Sequence, residues 1–293
     1  MKKEKRNIEK CTGAILEAGR KRPRVILIRS CIMVFCILLS MLFILPVVWM
    51  LLSAFKDTKE FLQLPPTLFP KQIDFGKAIR LWKRIGFTRS YLNTFAMVFG
   101  KVAFCLVCCG LGGYVLSRLK PKGTKIITLI VLWSMMMPSN MGMVPLYSTF
   151  VKAGMMDSYL PMWLMAGAGS FNTLLFKSFF DGISKSYIEA AWLDGGSQLT
   201  VFRKIMLPLS KPVFASVSIF MVTGSWGEFI WPNLLIKTPE KYVLAVKVYK
   251  YATVLTIDEY LMLLMFVSAP PIIFYIIFQK YIMKGVSVGG IKG

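Results

Sequence analysis

The stretch Cys31–Ala54, CIMVFCILLSMLFILPVVWMLLSA, contains no Asp, Glu, Lys or Arg. A helix needs about 20 consecutive apolar residues to cross a hydrocarbon core about 30 Å thick, so this stretch is long enough for one membrane span. Backbone polar groups inside a bilayer must bond within their own segment, which favours a helix over a single strand. The stretch therefore predicts an integral membrane protein with helical spans.

Five further stretches meet the same criterion, each with at most one charged residue. The six predicted helices cover about residues 31–54, 91–116, 126–147, 158–180, 212–236 and 260–282. The composition agrees, because 56% of the residues are hydrophobic and the mean hydropathy is +0.60, which a soluble domain of this length would hardly show. The predicted fold class is an all-α integral membrane bundle with six transmembrane helices.

Orientation follows from the basic residues, since loops rich in Lys and Arg stay on the cytoplasmic side. With both termini inside, the inner segments hold 21 Lys and Arg and the outer segments 13. This arrangement predicts a basic cytoplasmic segment at 1–30, a permease domain at 31–284 and a glycine-rich cytoplasmic tail at 285–293. The first outer loop, 55–90, is itself basic, with eight Lys and Arg, and fits the orientation least.

The residue types present argue against an enzyme. The chain has no His, which removes imidazole bases and His-based zinc sites. No acidic pair lies inside a predicted span and no G-x-S-x-G motif occurs, so an intramembrane hydrolase or lipid transferase lacks its chemistry. Cys105 and Cys108 are interpreted as small hydrophobes, because no second ligand pair accompanies them. We expect no catalytic residue, no metal and no cofactor.

The predicted inner loop at 184–211 is too patterned for a plain connector. Its sequence from Ser184 is SKSYIEAAWLDGGSQLTVFRKIMLP. Ser186 and Glu189 have the spacing of a capping box that starts a short helix, and Gly195 suits the left-handed position that ends it. Ser197 can cap a second helix, which Pro208 ends.

The same pattern predicts which side chains of the two short helices are exposed. We expect a docking surface on the first helix, formed by Tyr187, Ile188, Ala190, Ala191 and Trp192. On the second helix one apolar stripe is expected, formed by Leu199, Phe202, Ile205 and Met206.

These residues resemble a known family. Glu189-Ala190-Ala191, three residues, Gly195, nine residues and Ile205-x-Leu207-Pro208 are similar to the EAA loop of ABC importer permeases. Three further segments resemble the carbohydrate-uptake, maltose-permease-like subfamily: Tyr114–Arg118, Trp226–Pro232 and Gly285–Gly293. Gly227 departs from that subfamily, which usually carries Asn there. From about residue 30 onward, the resemblance implies a type I ABC importer permease fold with a cytoplasmic EAA coupling loop.

The resemblance also implies partners. The chain would be a multi-pass subunit of the bacterial cytoplasmic membrane, paired with a second homologous permease, two cytoplasmic ABC ATPase subunits and an extracytoplasmic solute-binding protein. Its substrate would be a saccharide, and its surroundings membrane lipid, with no nucleic acid. The sequence agrees, since it has no G-x-x-x-x-G-K-[ST] phosphate loop and no outer loop long enough for a ligand-capturing domain. It is expected to be a transport subunit, not an enzyme.

The resemblance further implies which residues couple to the ATPase: Glu189, Ala190, Ala191, Asp194, Gly195, Ile205, Leu207 and Pro208. Glu189 either pairs with a basic residue of the ATPase or closes the capping box. Asp194 either caps the loop locally or touches the ATPase. The tail, through Gly290 and Lys292, either reaches between the ATPases or frays.

The substrate path has four candidates: Lys101, Asn140, Asn172 and Glu228. A charge near the bilayer centre is costly, so Lys101 and Glu228 are expected to face the cavity as a pair. The two Asn side chains either bond a sugar or hold helices together. An ABC importer for phosphate, polyamine or peptide is the alternative function. A channel is a further alternative function, although a channel has no evident need for an EAA loop.

Overall fold

The computed structural model describes residues 23–138 and 141–289, and the regular elements in these ranges are all helical. Three helices are long: α1 (Pro23–Ser53), α4 (Phe87–Leu119) and α14 (Ile257–Gly289). The shorter helices are α2 (Thr58–Phe61), α3 (Phe75–Ile85), α5 (Thr124–Met136), α6 (Met143–Lys152), α7 (Leu160–Gly167), α8 (Ser170–Asp181), α9 (Ser186–Leu193), α10 (Gln198–Leu209), α11 (Lys211–Trp226), α12 (Ile230–Leu235) and α13 (Leu244–Tyr251). The all-α prediction is confirmed.

Three of the predicted spans are single helices, and three are broken in two. The predicted third, fourth and fifth spans consist of α5 with α6, α7 with α8, and α11 with α12. By length and hydropathy, three described helices can cross a bilayer, and a fourth crossing results if α10 and α11, bent by 68°, count as one. The breaks fall next to Pro and Gly residues, which remove backbone donors or relax the backbone. The count of six spans stays a prediction.

The chain divides into two compact units, the first ending at Ile73 and the second beginning at Asp74. In the first unit, the loop after α1 folds onto itself. The Lys56 ammonium lies 4.3 Å from the centroid of the Trp49 ring and donates to the Thr67 carbonyl. Glu60 Oε1 accepts hydrogen bonds from Thr67 Oγ1 at 3.0 Å and from the Lys71 backbone N at 2.9 Å. These contacts stabilise a loop that contains only one short helix, α2.

Among the described residues of the second unit, buried apolar side chains form clusters at two levels of α4. The upper cluster, which lies nearer the first residue of α4, includes Met97 and Val98 of that helix. The lower cluster includes Tyr114 of α4 and packs α4, α8 and α11 together with the predicted EAA loop. The EAA loop therefore belongs to the second unit and shares its core.

Close backbone contact joins α4 to α8. A Cβ on Gly113 would lie 2.6 Å from Phe176 Cβ and 2.8 Å from the Lys177 backbone N. No larger residue fits without moving one helix, and small residues are what allow membrane helices to approach in this way.

The last helix reaches further than predicted. Residues 285–289, expected to lie in the glycine-rich tail, continue α14 as helix to Gly289. Residues 1–22, Asn140, Gly290 and Lys292 lie outside the described residues, so the predictions made for them remain predictions.

Candidate ATPase-coupling site and translocation path

The turn after α9 contains two consecutive glycines, Gly195 and Gly196, and the first of them has a left-handed backbone conformation. Gly195 adopts φ +76°, and its N–H donates to the Trp192 carbonyl at 3.0 Å. The Gly196 N–H donates to the Ala191 carbonyl at 2.8 Å. Together these bonds form a Schellman motif, which satisfies carbonyls at the helix end. The predicted left-handed Gly195 is confirmed.

The second helix of the loop begins at the predicted cap. Ser197 Oγ accepts a hydrogen bond from the Thr200 backbone N at 3.2 Å. Pro208 lies within the last turn of α10, which ends one residue later at Leu209. The cap prediction is confirmed, and the predicted end of the helix is close to the observed one.

The predicted capping box of the first helix is wrong. Ser186 is the first helical residue of α9 rather than its cap, and its Oγ lies 2.7 Å from Ser184 Oγ. The preceding Lys185 makes no side-chain cap bond. The Glu189 carboxylate is exposed and makes no hydrogen bond or ion pair with any residue in 23–138 or 141–289. Glu189 is thus left available to a partner.

Three apolar side chains anchor the loop to the bundle. Ile188 of α9, and Val201 and Met206 of α10, are buried in the lower cluster around Tyr114 and Phe180. Ile188 was expected to be exposed, and Val201 was not predicted to be inward. The period of a short helix cannot tell which of its faces meets the bundle, because both faces carry apolar residues.

The outward face of the loop is an apolar patch with two carboxylates. Leu193 is the most exposed of its large side chains, at 89%. The patch, which we call the EAA surface, consists of the exposed residues Tyr187, Glu189, Ala190, Trp192, Leu193, Asp194 and Leu199. Leu199 belongs to the predicted apolar stripe but is exposed, whereas Met206 of the same stripe is buried. Ala191 and Ile205 are half-buried, and Leu207 and Pro208 are exposed.

Asp194 stands at an unfavourable position for the isolated loop. It is the cap residue at the C-terminus of α9, and no side-chain hydrogen bond is found for it among the described residues. A negative charge is disfavoured at a helix C-terminus, where the helix dipole is itself negative. The role of Asp194 therefore stays a prediction.

A polar corner joins the ends of α4 and α8 just before the loop. Ser117 Oγ donates to Asp181 Oδ1 at 2.6 Å, and Lys177 Nζ forms an ion pair with Asp181 Oδ2 at 2.7 Å. Burial raises the pKa of the Asp181 carboxyl, but the hydrogen bonds from Lys177 and Ser117 outweigh burial and hold that pKa below its ordinary value. The carboxylate therefore stays charged and bonded at neutral pH.

Arg118 completes this corner. Its guanidinium donates to the carbonyls of Phe180 and Ile183, at and just beyond the end of α8. The Phe180 carbonyl is among the last four of α8, which have no partner one turn further along the helix, and the Ile183 carbonyl belongs to the connection before α9. The segment Tyr114–Arg118 carries part of the family resemblance, but no role for Arg118 can be predicted from it, because its two carbonyl partners lie more than 60 residues later in the chain.

Lys101 and Glu228 form an ion pair in the bundle, as the sequence predicted. Lys101 lies on α4, and Glu228 lies in the break between α11 and α12. Their side chains are 12% and 19% exposed, so neither charge is fully surrounded by apolar atoms. Their contact with substrate stays a prediction.

The Asn candidate that is described lies between helices. Asn172 Nδ2 is 3.6 Å from Met221 Sδ, a weak contact between α8 and α11. Nearby helices are also joined by Ser134 and Ser170, whose Oγ atoms are 2.6 Å apart. Asn233, which sequence reasoning missed, has a buried Oδ1 without a hydrogen-bond partner in the described chain.

The chain is similar to known membrane transport proteins over most of its length. Residues 109–288 match the family described as binding-protein-dependent transport system inner membrane component. The arabinooligosaccharides transport system permease protein AraQ of Bacillus subtilis is 28% identical over 94% of this chain and 99% of its own. The diacetylchitobiose uptake system permease protein NgcG of Streptomyces coelicolor is 29% identical over 86% and 85%.

A solved structure shares the fold. It is a bacterial ABC transporter involved in the import of the acidic polysaccharide alginate, with a TM-score of 0.78 at 23% identity. The match covers 89% of this chain and 98% of the other. The family match at residues 109–288 includes the EAA loop and Glu228.

Proposed function

The chain belongs to the family of binding-protein-dependent transport system inner membrane components, and we propose that it is the permease subunit of an ATP-driven importer for sugars or oligosaccharides. The observation that carries the proposal is the EAA surface, an apolar patch with two carboxylates on a helix–turn–helix that is anchored in the core of the bundle. Exposed apolar patches of this kind mark protein–protein contacts.

The EAA surface is proposed to dock on a cytoplasmic ATPase subunit. Glu189 and Asp194 would pair with basic side chains of the ATPase, and Ala190 and Ala191 would allow close approach. Gly195 provides the turn between the two helices. Ile205, Leu207 and Pro208 lie on α10, which carries the second half of the loop back to the bundle.

The anchoring of the loop supports its use as a lever. Ile188, Val201 and Met206 are buried in the same cluster as Tyr114 of α4, and the Ser117–Asp181 bond ties α4 to the helix before the loop. A push on the EAA surface would therefore move α4, α8 and the loop together. Coupling of this kind needs two sites that share the same two states.

The translocation path is proposed to run past Lys101 and Glu228. Their partial exposure and their place at a helix break fit a water-lined cavity, where broken membrane helices are tolerated. Asn172 and Asn140 remain candidates for hydrogen bonds to a saccharide. The six spans, with both termini on the cytoplasmic side, belong to the same proposal.

The substrate class comes from the relatives. The names of AraQ and NgcG specify arabinooligosaccharides and diacetylchitobiose, and the galactooligosaccharides transport system permease protein GanQ of Bacillus subtilis is 26% identical over 87% of this chain. These relatives differ in their sugars but not in substrate class. We therefore assign saccharides as the class and no single sugar.

The proposed complex has four kinds of partner besides lipid. They are a second homologous permease, two ABC ATPase subunits, an extracytoplasmic solute-binding protein and the saccharide. Contact of Gly290 and Lys292 with the ATPases is part of this proposal. ATP would be hydrolysed by the ATPase subunits, and this chain would have no catalytic residue.

The test is affinity purification of the tagged full-length chain from its native membrane in mild detergent. We expect the wild-type chain to bring down an ATPase and a second permease, and Glu189→Lys and Gly195→Trp to lose the ATPase. Glu240→Lys and Gly154→Trp are matched controls, because they place the same changes on an exposed Glu and a positive-φ Gly outside the loop.

Recovery of the wild-type chain alone, under conditions that keep other complexes whole, would overturn the importer and favour a channel or solitary carrier. Uptake of labelled oligosaccharides by cells, compared with phosphate and polyamine uptake, tests the substrate class. A complex that carries only a non-saccharide solute would keep the permease function and overturn the saccharide assignment.

A further inference from the structure

The helix α3 is amphipathic and joins the long helix α4 at a single residue. Gly86, with φ +66°, ends α3 and begins α4. Leu81 and Ile85 are buried, whereas Phe75 and Ile79 are exposed on the other side of α3. An amphipathic helix that precedes a span, with apolar side chains facing outward, is typical of a helix that lies in a membrane interface.

Aromatic contacts place α3 at the end of the span. The Trp82 ring of α3 stacks on Phe87 and Tyr91 at centroid distances of 5.2 and 5.3 Å. Trp and Tyr are enriched where membrane helices meet the headgroup region. The start of α4 therefore lies at headgroup depth, with α3 beside it.

The position of α3 relative to the EAA loop follows from the length of α4. The 33 residues of α4 rise about 50 Å at about 1.5 Å per residue. Arg118, which holds the EAA end of the bundle, lies near the last residue of α4, and α3 joins the first. With the EAA loop cytoplasmic, α3 lies at the outer face, so this inference rests on the orientation in the proposed function.

A basic groove runs between α3 and the start of α14. It encloses about 620 Å³ and is lined by four cations and two carboxylates, together with Leu81. These charged residues are Lys77, Arg80, Lys83, Arg84, Asp258 and Glu259. The groove thus carries an excess of positive charge at a face where the positive-inside rule disfavours it.

The ion pairs of the groove leave donors to spare. Lys77 pairs with Asp258, Arg84 Nη2 lies 2.6 Å from Glu259 Oε2, and Arg80 pairs with Asp74 at 2.7 Å. The Arg80 and Arg84 side chains remain 72% and 56% exposed. A guanidinium has five N–H donors and a bond to one carboxylate oxygen uses only part of them. Lys83 is exposed and has no acidic partner in the described chain.

These donors stand next to the exposed apolar side chains. Ile79 and Lys83 are four residues apart and therefore neighbours on the helix surface. Guanidinium and ammonium groups match the phosphate of a headgroup, and Phe75 and Ile79 match the beginning of its acyl chains. A soluble anion would use the cations but would leave the apolar side chains exposed to water.

We infer that α3 is an interfacial helix whose basic groove, through Arg80, Lys83 and Arg84, binds the headgroup phosphate of an anionic phospholipid in the outer leaflet. The first outer loop fits the positive-inside rule least, and several of its basic residues then have a use: Lys77, Arg80 and Arg84 form ion pairs within the protein, and Arg80, Lys83 and Arg84 bind the lipid. Basic residues near a membrane surface attract anionic lipid.

The test uses the purified full-length chain in detergent and native mass spectrometry with phosphatidylglycerol or phosphatidylcholine added. We expect phosphatidylglycerol to be retained in preference, and Arg80→Gln with Lys83→Gln to reduce that retention by roughly tenfold to thirtyfold, since each cation near the surface contributes about 1 kcal/mol. The double variant keeps the Lys77–Asp258 and Arg84–Glu259 pairs. Lys152→Gln with Lys250→Gln removes the same charge from exposed residues outside the groove and should retain the lipid.

Equal retention by the groove variant and the control would overturn the inference, as would equal retention of the two lipids. Displacement of the lipid by free glycerol phosphate at equal concentration would also overturn it, because the apolar contacts would then contribute nothing. A solute-binding protein that crosslinks to Lys83 in intact cells, with no lipid retained, would assign the groove to that protein instead.

A second measurement separates this inference from the proposed orientation. Lys83→Cys in intact cells should react with a membrane-impermeant maleimide added outside, above the background of the wild-type chain. Reaction only after the cells are opened would overturn the orientation and, with it, the outer leaflet. Reaction from outside combined with no lipid preference would overturn the lipid site and leave the orientation standing.

Discussion

Ser117 Oγ donates a hydrogen bond to Asp181 Oδ1 at 2.6 Å. The two residues lie near the last residues of α4 and α8, and Asp181 comes five residues before the start of α9 at Ser186. Because Arg118 binds carbonyls at the same end of α8, one corner of the bundle holds the base of the EAA loop. A partner that moves the loop must therefore move this corner with it.

Arg118→Met should separate ATPase binding from transport. Hydrogen bonds to a charged group contribute about 1.5 to 3 kcal/mol, and their loss would free the end of α8 while leaving the EAA surface in place. We expect the ATPase to co-purify, with sugar uptake reduced about fivefold or more. Arg118→Lys keeps the charge and should recover part of the uptake. Unchanged uptake in the Met variant would show that this corner does not transmit motion.

Gly113→Ala should destabilise the bundle. The added Cβ would lie 2.6 Å from Phe176 Cβ and 2.8 Å from a backbone N of α8, and overpacking of this kind costs about 1 to 3 kcal/mol. Gly112→Ala is the control, because its Cβ would be at an ordinary 3.4 Å from Thr173 Cγ2. Thermal unfolding of the two variants in detergent should show a clear drop in midpoint for Gly113→Ala only.

Substitutions of the two glycines in the EAA turn should differ in how strongly they destabilise the turn. A Cβ on Gly195 would meet nothing within 4 Å, so Gly195→Ala costs only the left-handed backbone, about 1 to 2 kcal/mol. Gly195→Asn should cost less, because Asn tolerates that conformation. Gly196→Ala would bring its Cβ to 2.7 Å from the Ala191 carbonyl and should lose more ATPase in affinity purification than either. Equal recovery from all three would contradict the turn geometry.

Substitutions of Lys101 and Glu228 should have strongly non-additive effects on the stability of the protein. Lys101→Met alone leaves a largely buried Glu228 without its cation, and breaking a buried pair costs about 3 to 5 kcal/mol. Adding Glu228→Gln should return much of that stability. Thermal midpoints of the two single variants and the double variant measure the coupling. Normal saccharide uptake by a stable double variant would remove both residues from the substrate path.

A pH-dependent contact joins the segment after α6 to the segment after α12. Asp157 Oδ2 accepts from Lys241 Nζ at 2.8 Å and from Thr238 Oγ1 at 2.7 Å, and Oδ1 accepts from the Thr238 backbone N at 2.9 Å. The side-chain bonds from Lys241 and Thr238 and this backbone bond hold the pKa of the Asp157 carboxyl well below its ordinary value of 3.8.

Below that ordinary value the unfolded chain binds a proton that the folded chain does not, so stability falls as pH falls. The contribution of Asp157 is therefore complete above about pH 5, roughly one pH unit above that ordinary value, and falls progressively as the pH drops through it toward the lower pKa of the folded chain. Thermal midpoints of the wild type should decline between pH 5 and pH 3 more steeply than those of Asp157→Asn. Parallel curves for the two chains would contradict the role of this carboxylate.

Much of the EAA loop could be predicted from local sequence. The left-handed Gly195 and the cap at Ser197 depend on neighbouring residues in the chain, and both were predicted correctly. The capping box at Ser186 was not, because Ser184 supplies a competing hydroxyl at 2.7 Å and the helix starts one residue early. The buried face of each short helix could not be predicted in this way, because it is decided by the apolar cluster against which the helix packs.

By itself the sequence determined that the chain is helical and membrane-embedded, since apolar length and the need to satisfy backbone groups in lipid allow little else. It also placed Lys101 and Glu228 at depths where they could meet. Only the tertiary structure decided that Arg118 holds the end of α8, that Gly113 must remain glycine and that Arg80 and Arg84 line one groove with Glu259. These relationships join residues from about 60 to about 180 positions apart, and packing rather than local propensity brings such residues together.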